Sequence, residues 1–145
     1  MDAASAEIRV LHVDDDAEFV RMAATFLERE SDRITVDVAT SVAEAVDRLD
    51  AGAVDCVVSD YDMSERNGIE FLQTVRETRP DLPFILFTGK GSEEVASDAI
   101  SAGASDYLQK GGTTEQYELL ANRVLNAVDQ YRSGRRAVEL DRIRT

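Results

Sequence analysis

Seven polar residues stand where chemistry is possible: Asp14, Asp15, Asp16, Asp60, Asp62, Thr88 and Lys110. Each sits at the end of a short apolar run. Asp14 to Asp16 follow Ile8–Val13, Asp60 closes the run Val54–Ser59 with Asp62 two residues on, Thr88 closes Phe84–Phe87, and Lys110 follows Asp106–Gln109. Carboxylates brought together repel one another unless their pKa values rise or a cation neutralises them. Hard divalent cations prefer oxygen ligands, and Mg²⁺ typically takes one or two carboxylates plus waters and phosphate oxygens. Lys110 and Thr88 add what a metal alone lacks, a second positive charge and a hydroxyl donor aimed at an anion. Metal on one side and ammonium on the other make a clamp for a phosphoryl group. A remaining carboxylate can then act as nucleophile and form an aspartyl phosphate. Lys90 and Lys110 are the only lysines against 14 arginines, so both read as retained for this site.

These residues can meet only if the elements behind them share one edge. Ile8–Val13 reads as a strand, and Phe19, Met22, Ala23, Phe26 and Leu27 recur at helical spacing. Ile34, Val36 and Val38 alternate with polar residues in a second strand. Ser41, with Glu44 three residues on, predicts a capping box opening a helix to about Leu49. Val54–Ser59 is the third strand, and a helix through Ile69, Leu72 and Val75 ends before Pro80. Phe84–Phe87 is an unbroken apolar strand; Ser92 caps a helix through Ile100 that Gly103 closes. Asp106–Gln109 is a short fifth strand, and Leu119, Leu120, Val124 and Val128 form a fifth helix. Five strands alternating with five helices imply an α/β fold with a parallel sheet. The alternating second strand and the short fifth strand suit the edges, and the apolar others the interior. The order is then 2-1-3-4-5, the flavodoxin-like doubly wound sheet, which binds ligands beyond the carboxyl ends of its strands where the winding reverses.

Length and charge bound the rest. The 145 residues, 43% hydrophobic, suit one domain and one core. The apolar runs fall far short of the roughly 20 residues that span a bilayer. Met1 to Glu7 is small and polar, with no export signal, and the single cysteine, Cys56, excludes a disulfide framework and a cysteine-based zinc site. The expected compartment is the cytoplasm. A net charge of −13 argues against direct binding of nucleic acid or anionic membrane. Abundant Asp with almost no Lys looks like the surface of a protein from a high-salt cytoplasm. The tail from Asp129 to Thr145 differs: five arginines (132, 135, 136, 142, 144) stand against three acids. It reads as an extension of the fifth helix or as a linker toward a further domain, outside a first domain of residues 1–128.

The set Val13-Asp14-Asp15, Asp60, Thr88 and Lys110, on these elements, resembles the receiver domain of two-component response regulators over residues of about 7 to 128. The resemblance implies that Asp60 accepts a phosphoryl group from the phosphohistidine of a sensor histidine kinase or phosphotransfer protein. It implies Mg²⁺ on Asp15 and Asp60, joined by the backbone carbonyl of Asp62, with Asp14 acting through water. Thr88 would follow the phosphoryl group by hydrogen bond and Lys110 would pair with its oxygens. Tyr107 matches the family's switch aromatic, which turns inward as the threonine moves, and Gly89 leaves room for it. The output would be read by an output domain or downstream protein on the face of the fourth helix, fifth strand and fifth helix, with slow self-dephosphorylation and no turnover of a metabolite. Asp62 and Lys90 occupy positions that tune phosphate lifetime in the family, and an Asp62–Lys90 pair across the site is expected. Two residues depart from the pattern. Gly111 and Gly112 follow Lys110 where the family usually has a proline in a cis peptide, so a looser loop is expected. Ser64 stands four residues after Asp60, where proline is common. Monomer and homodimer both stay open.

Blander readings exist for each residue. Asp14 and Asp15 alone would be a solvated turn; beside Asp60 and Lys110 they read as a site. Asp16 is the better helix cap. Thr88 alone is ordinary strand propensity, and Tyr107 alone ordinary packing. His12 reads as a packed core residue and Cys56 as an inert buried thiol. Asp60-Tyr61-Asp62-Met63-Ser64 also resembles the paired-aspartate motif of haloacid dehalogenase-type phosphatases, but Ser64 replaces the usual threonine and the motif lies on the third strand, not the first. A receiver that binds partners without phosphorylation is the remaining alternative, against which the intact acidic set argues.

Overall fold

The computed structural model describes residues 7–89 and 93–144, with the side chains of the last helix described through Gly134. The elements run β1 (Ile8–Val13), α1 (Ala17–Glu30), β2 (Ile34–Ala39), α2 (Val42–Asp50), β3 (Cys56–Ser59), α3 (Gly68–Thr78), β4 (Phe84–Thr88), α4 (Glu93–Ser101), β5 (Asp106–Gln109) and α5 (Glu115–Arg144). The five strands pair in parallel in the order β2-β1-β3-β4-β5, as the burial pattern along the strands requires.

Strand alternation divides the core into two layers. Ile8 and Val10 of β1, Cys56 and Val58 of β3, Ile85 and Phe87 of β4 and Leu108 of β5 face α1 and α5. Leu11 and Val13, Val57, Phe84 and Leu86 face α2, α3 and α4. Central β3 and β4 are buried along their whole length, the mark of strands covered on both faces.

Local signals set the helix starts. Asp16 caps α1 by accepting the Phe19 N–H at 3.0 Å, and Ser41 caps α2 by accepting the Glu44 N–H at 3.1 Å. A full capping box opens α3: Asn67 accepts the Glu70 N–H at 2.8 Å, and the Glu70 carboxylate accepts the Asn67 N–H at 2.9 Å. Gly103 ends the turn after α4 at φ +103°, its N–H bonded to the Ile100 carbonyl at 3.1 Å. The expected cap at Ser92 lies outside the described residues.

Two boundaries differ from the sequence pattern. β3 begins at Cys56, not Val54, because Asp55 meets Arg9 partly through its side chain: its carboxylate accepts the Arg9 N–H at 2.8 Å while its own N–H bonds the Arg9 carbonyl at 2.8 Å. α5 runs on through Gly134 to Arg144 as one helix. Its middle is held at the amino ends of the strands. Asp129 takes both guanidinium nitrogens of Arg33, at 2.9 and 3.2 Å, and Arg132 donates to the Glu7 carbonyl at 2.8 Å and pairs with Asp55 at 3.5 Å. No described helix is long and apolar enough to cross a membrane.

Candidate functional site

Register places the acids. Val13 pairs with Ser59, so Asp14 and Asp60 leave adjacent strands side by side where the winding reverses. Their backbones continue the ladder by one residue, Asp14 N–H to the Ala39 carbonyl at 3.1 Å and Asp60 N–H to the Val13 carbonyl at 2.9 Å. Thr88 pairs with Gln109, and the next N–H, that of Lys110, bonds the Thr88 carbonyl at 2.9 Å. Asp14, Asp15, Asp60, Thr88 and Lys110 thus stand on one rim of the sheet.

The side chains converge. The Lys110 Nζ lies 2.9 Å from Asp14 Oδ2 and 3.4 Å from Asp60 Oδ1. Asp14 is buried (1% exposed), Asp60 nearly so (7%) and Thr88 completely. Burial, which disfavours charge, pushes the Asp60 carboxyl up; Lys110 pulls it down, Asp14 pushes it up, and the Thr88 hydroxyl and Tyr61 N–H, both donating to it, pull it down. One carboxylate oxygen each from Asp14, Asp15 and Asp60 lie within 4.8 Å of one another. Three hard oxygen donors at that spacing, two buried and one exposed, fit a hard divalent cation with water completing its shell.

Close packing shapes the loop after Asp60. Gly68, the first residue of α3, donates to the Tyr61 carbonyl at 2.8 Å. A Cβ there would run into the Asp60 carbonyl oxygen and come within 2.7 Å of Leu86 Cδ1 and 3.0 Å of the Tyr61 Cα, so only glycine lets the helix approach the strand end this closely. The loop then folds back over the site, and the Ser64 N–H donates to Asp15 Oδ2 at 3.0 Å. A proline at position 64 has no N–H to give.

Other expected residues fall as follows. Asp62 is exposed on that loop. Lys90, and with it the expected Asp62–Lys90 pair, lies outside the described residues. Tyr107 packs against the layer facing α2, α3 and α4, with its hydroxyl buried and meeting no hydrogen-bond partner among the described residues. The Gly111–Gly112 segment, expected to be loose, has nothing within 4 Å of either Cβ position, and the Gly111 N–H is tied to Gln116 Oε1 at 2.8 Å. His12 is completely buried, and its ring nitrogens meet no partner among the described residues. Burial and then the Lys110 charge push its pKa down to about 3, so the imidazole is neutral. Cys56 is free and buried, and burial pushes its thiol up.

Two contacts escaped the sequence reading. One is the Ser64 N–H on Asp15, for which the missing proline was the available signal. The other is Phe19, read only as a core position of the first helix. Its ring centroid lies 4.1 Å from Lys110 Nζ. Phe19 stands three residues after the α1 cap, where a helical side chain covers the turn preceding it, and that turn holds Asp14 and Asp15.

Comparisons with known proteins bear on the family and the fold. The family description "Response regulator receiver domain" matches residues 10–139. Response regulator SaeR of Staphylococcus aureus (strain USA300) is 31% identical over 122 residues, which are 84% of this chain and 52% of SaeR. The chain therefore spans about half the length of the curated relatives it matches. The solution structure of the beryllofluoride-activated NtrC4 receiver domain dimer is 30% identical with a TM-score of 0.74, over 85% of this chain and 98% of that one. A CheY-like receiver domain protein from Methanospirillum hungatei JF-1 shares the fold at a TM-score of 0.77 and 23% identity, over 88% and 98% of the two chains.

Proposed function

The chain belongs to the response regulator receiver domain family of two-component systems, and we propose that Asp60 is its phosphoryl acceptor, charged from the phosphohistidine of a sensor histidine kinase or phosphotransfer protein. In this step the N–P bond of the phosphohistidine breaks, an Asp60 carboxylate oxygen forms the new O–P bond, and the imidazole leaves with the electron pair and takes up a proton. The observation that carries the reading is the reach of one ammonium: Lys110 Nζ is 2.9 Å from Asp14 and 3.4 Å from Asp60, at the mouth of a three-carboxylate cluster. A bare acidic cluster would repel an incoming phosphoryl group; a cluster with a cation on one side and a lysine on the other attracts it.

Asp15 and Asp60 would hold Mg²⁺ together with the Asp62 carbonyl, and Asp14 would act through water. The ion supplies positive charge against the phosphoryl oxygens. Asp60 is the nucleophile because it stands between the other acids and both donors, Thr88 and Lys110. Lys110 takes the phosphoryl oxygens once they displace it from Asp60. Thr88 already donates to Asp60, so a phosphoryl group there draws the hydroxyl toward it, and the Tyr107 ring, whose hydroxyl is already buried, repacks as Thr88 moves. The altered face of α4, β5 and α5 is read by an output domain or a downstream protein. The product is a bound state, lost slowly by hydrolysis of the aspartyl phosphate. Asp62 and Lys90 set how fast.

The test is intact-mass analysis after incubation with acetyl phosphate and Mg²⁺, wild type against Asp60→Asn. A phosphate-sized gain in wild type alone is expected. An equal gain in both, or none in wild type, overturns the assignment.

A further inference from the structure

Lys110 is the residue on which the phosphoryl site turns; its backbone is held by its own N–H on the Thr88 carbonyl at 2.9 Å and by the Gly111 N–H on Gln116 Oε1 at 2.8 Å, but neither bond reaches the ammonium at the end of the side chain. The backbone beyond it is Gly111-Gly112, with open space around both. Two kinds of contact hold the ammonium. One is electrostatic, the carboxylates of Asp14 and Asp60 at 2.9 and 3.4 Å. The other is the Phe19 ring face, with its centroid 4.1 Å from Nζ, well inside the roughly 6 Å range of a cation–π contact. The Phe87 ring lies farther off, at 6.0 Å.

These contacts differ in what happens to them during the reaction. The carboxylates are the groups the chemistry alters, since Asp60 becomes an acyl phosphate and a cation draws charge from its ligands. Their hold on Lys110 weakens at the moment the ammonium must reach the phosphoryl oxygens. The ring quadrupole of Phe19 does not change.

Phe19 is itself fixed. Its backbone N–H is bound by the Asp16 cap at 3.0 Å. His12 stands against the ring edge-on, centroids 6.4 Å apart at 85°, and Phe87 lies 6.5 Å away. The wall behind the ammonium is therefore aromatic. The 19% exposure of the Lys110 side chain leaves the pair partly desolvated, where a cation–π contact is worth most.

We propose that Phe19 is a positioning residue for Lys110, its ring face holding the ammonium over the acidic cluster. The proposal rests on the reading of Asp60 and Lys110 above. Its first test does not. Protons held over a ring face are shifted upfield of their random-coil position, and with only two lysines in the chain the Lys110 signal is identified by its loss in Lys110→Arg. In the metal-free wild type the Lys110 ε-methylene protons should resonate upfield of the random-coil lysine position, and Phe19→Leu should return them to it. A random-coil position in wild type overturns the proposal.

The second test is the labelling rate with acetyl phosphate and Mg²⁺. Phe19→Leu keeps an apolar side chain and removes the ring, and should slow labelling roughly three- to tenfold. Phe19→Trp restores a ring face and should bring the rate back to within about twofold of wild type. Thermal midpoints of both variants accompany the rates, because a merely structural role would move stability in both and rate in neither. Wild-type labelling with an unchanged Phe19→Leu rate overturns the proposal. Failure of wild type to label overturns the Asp60 reading and leaves the upfield shift to decide the Phe19–Lys110 contact.

Discussion

Thr88 is completely buried and its hydroxyl donates to the Asp60 carboxylate. Thr88→Val keeps the volume and deletes the donor. The variant should still take up phosphate from acetyl phosphate, because the nucleophile and Lys110 remain. It should lose the change at Tyr107, which NMR shifts of the Tyr107 ring before and after labelling would report. Ring shifts that move as in wild type would remove Thr88 from the switch. The cost in stability should stay near 1 kcal/mol, since one hydrogen bond is lost and the Asp60 carboxylate keeps Lys110 and the Tyr61 N–H. At this scale the sequence was informative about which residue types gather and silent about which atoms touch. Asp14 and Lys110 are 96 residues apart, and their 2.9 Å contact depends on the placement of two strands and the extension of one long side chain. Phe19 carried no polar signal, so its second role was hidden inside a correct assignment to the α1 core face.

Elements meet most tightly where α3 starts. Gly68 sits against the Asp60 carbonyl, so Gly68→Ala should destabilise by about 2–3 kcal/mol, as overpacking against backbone does, and lower the labelling rate by displacing Asp60. Urea unfolding checks the first, and a loss under about 0.5 kcal/mol would show that the loop can yield. At the other end of the sheet the Arg33–Asp129 fork ties the turn before β2 to α5. The Arg33 hydrogen bond holds the Asp129 carboxyl below its ordinary 3.8. A depressed folded pKa means that the unfolded chain binds the proton more readily. The stabilisation is therefore present above pH 3.8 and lost as pH falls through the lowered value. Asp129→Asn should be less stable than wild type near pH 6 by about 0.5–1 kcal/mol, as for an exposed pair, and the gap should close on acidification below that range. A gap that persists at pH 2 would assign the loss to something other than charge. Strand and helix identities were legible because burial on one or both faces imposes a period on the sequence. The Asn67–Glu70 box is a local pattern too, but the apolar period there begins only at Ile69, so the box does not stand out from the loop before it. The start of β3 was not legible, since Asp55 replaces a backbone acceptor with its own carboxylate.

The molecule as a whole carries −13, and a surface that negative repels itself. Raising NaCl from low to molar concentration should lift the thermal midpoint by at least about 3 °C through screening. A midpoint that stays flat or falls would count against a surface adapted to high salt. Sequence alone determined the fold class and the rim on which the acids, Thr88 and Lys110 lie. Parallel strands joined by helices all point their carboxyl ends one way, so any residue that closes a strand must arrive there. Tertiary structure alone decided the contacts: the ammonium set between Asp14, Asp60 and Phe19, the Ser64 N–H on Asp15, and the unbroken run of α5. These depend on loop paths and side-chain directions set by neighbours far along the chain, and a local pattern of residues does not encode them.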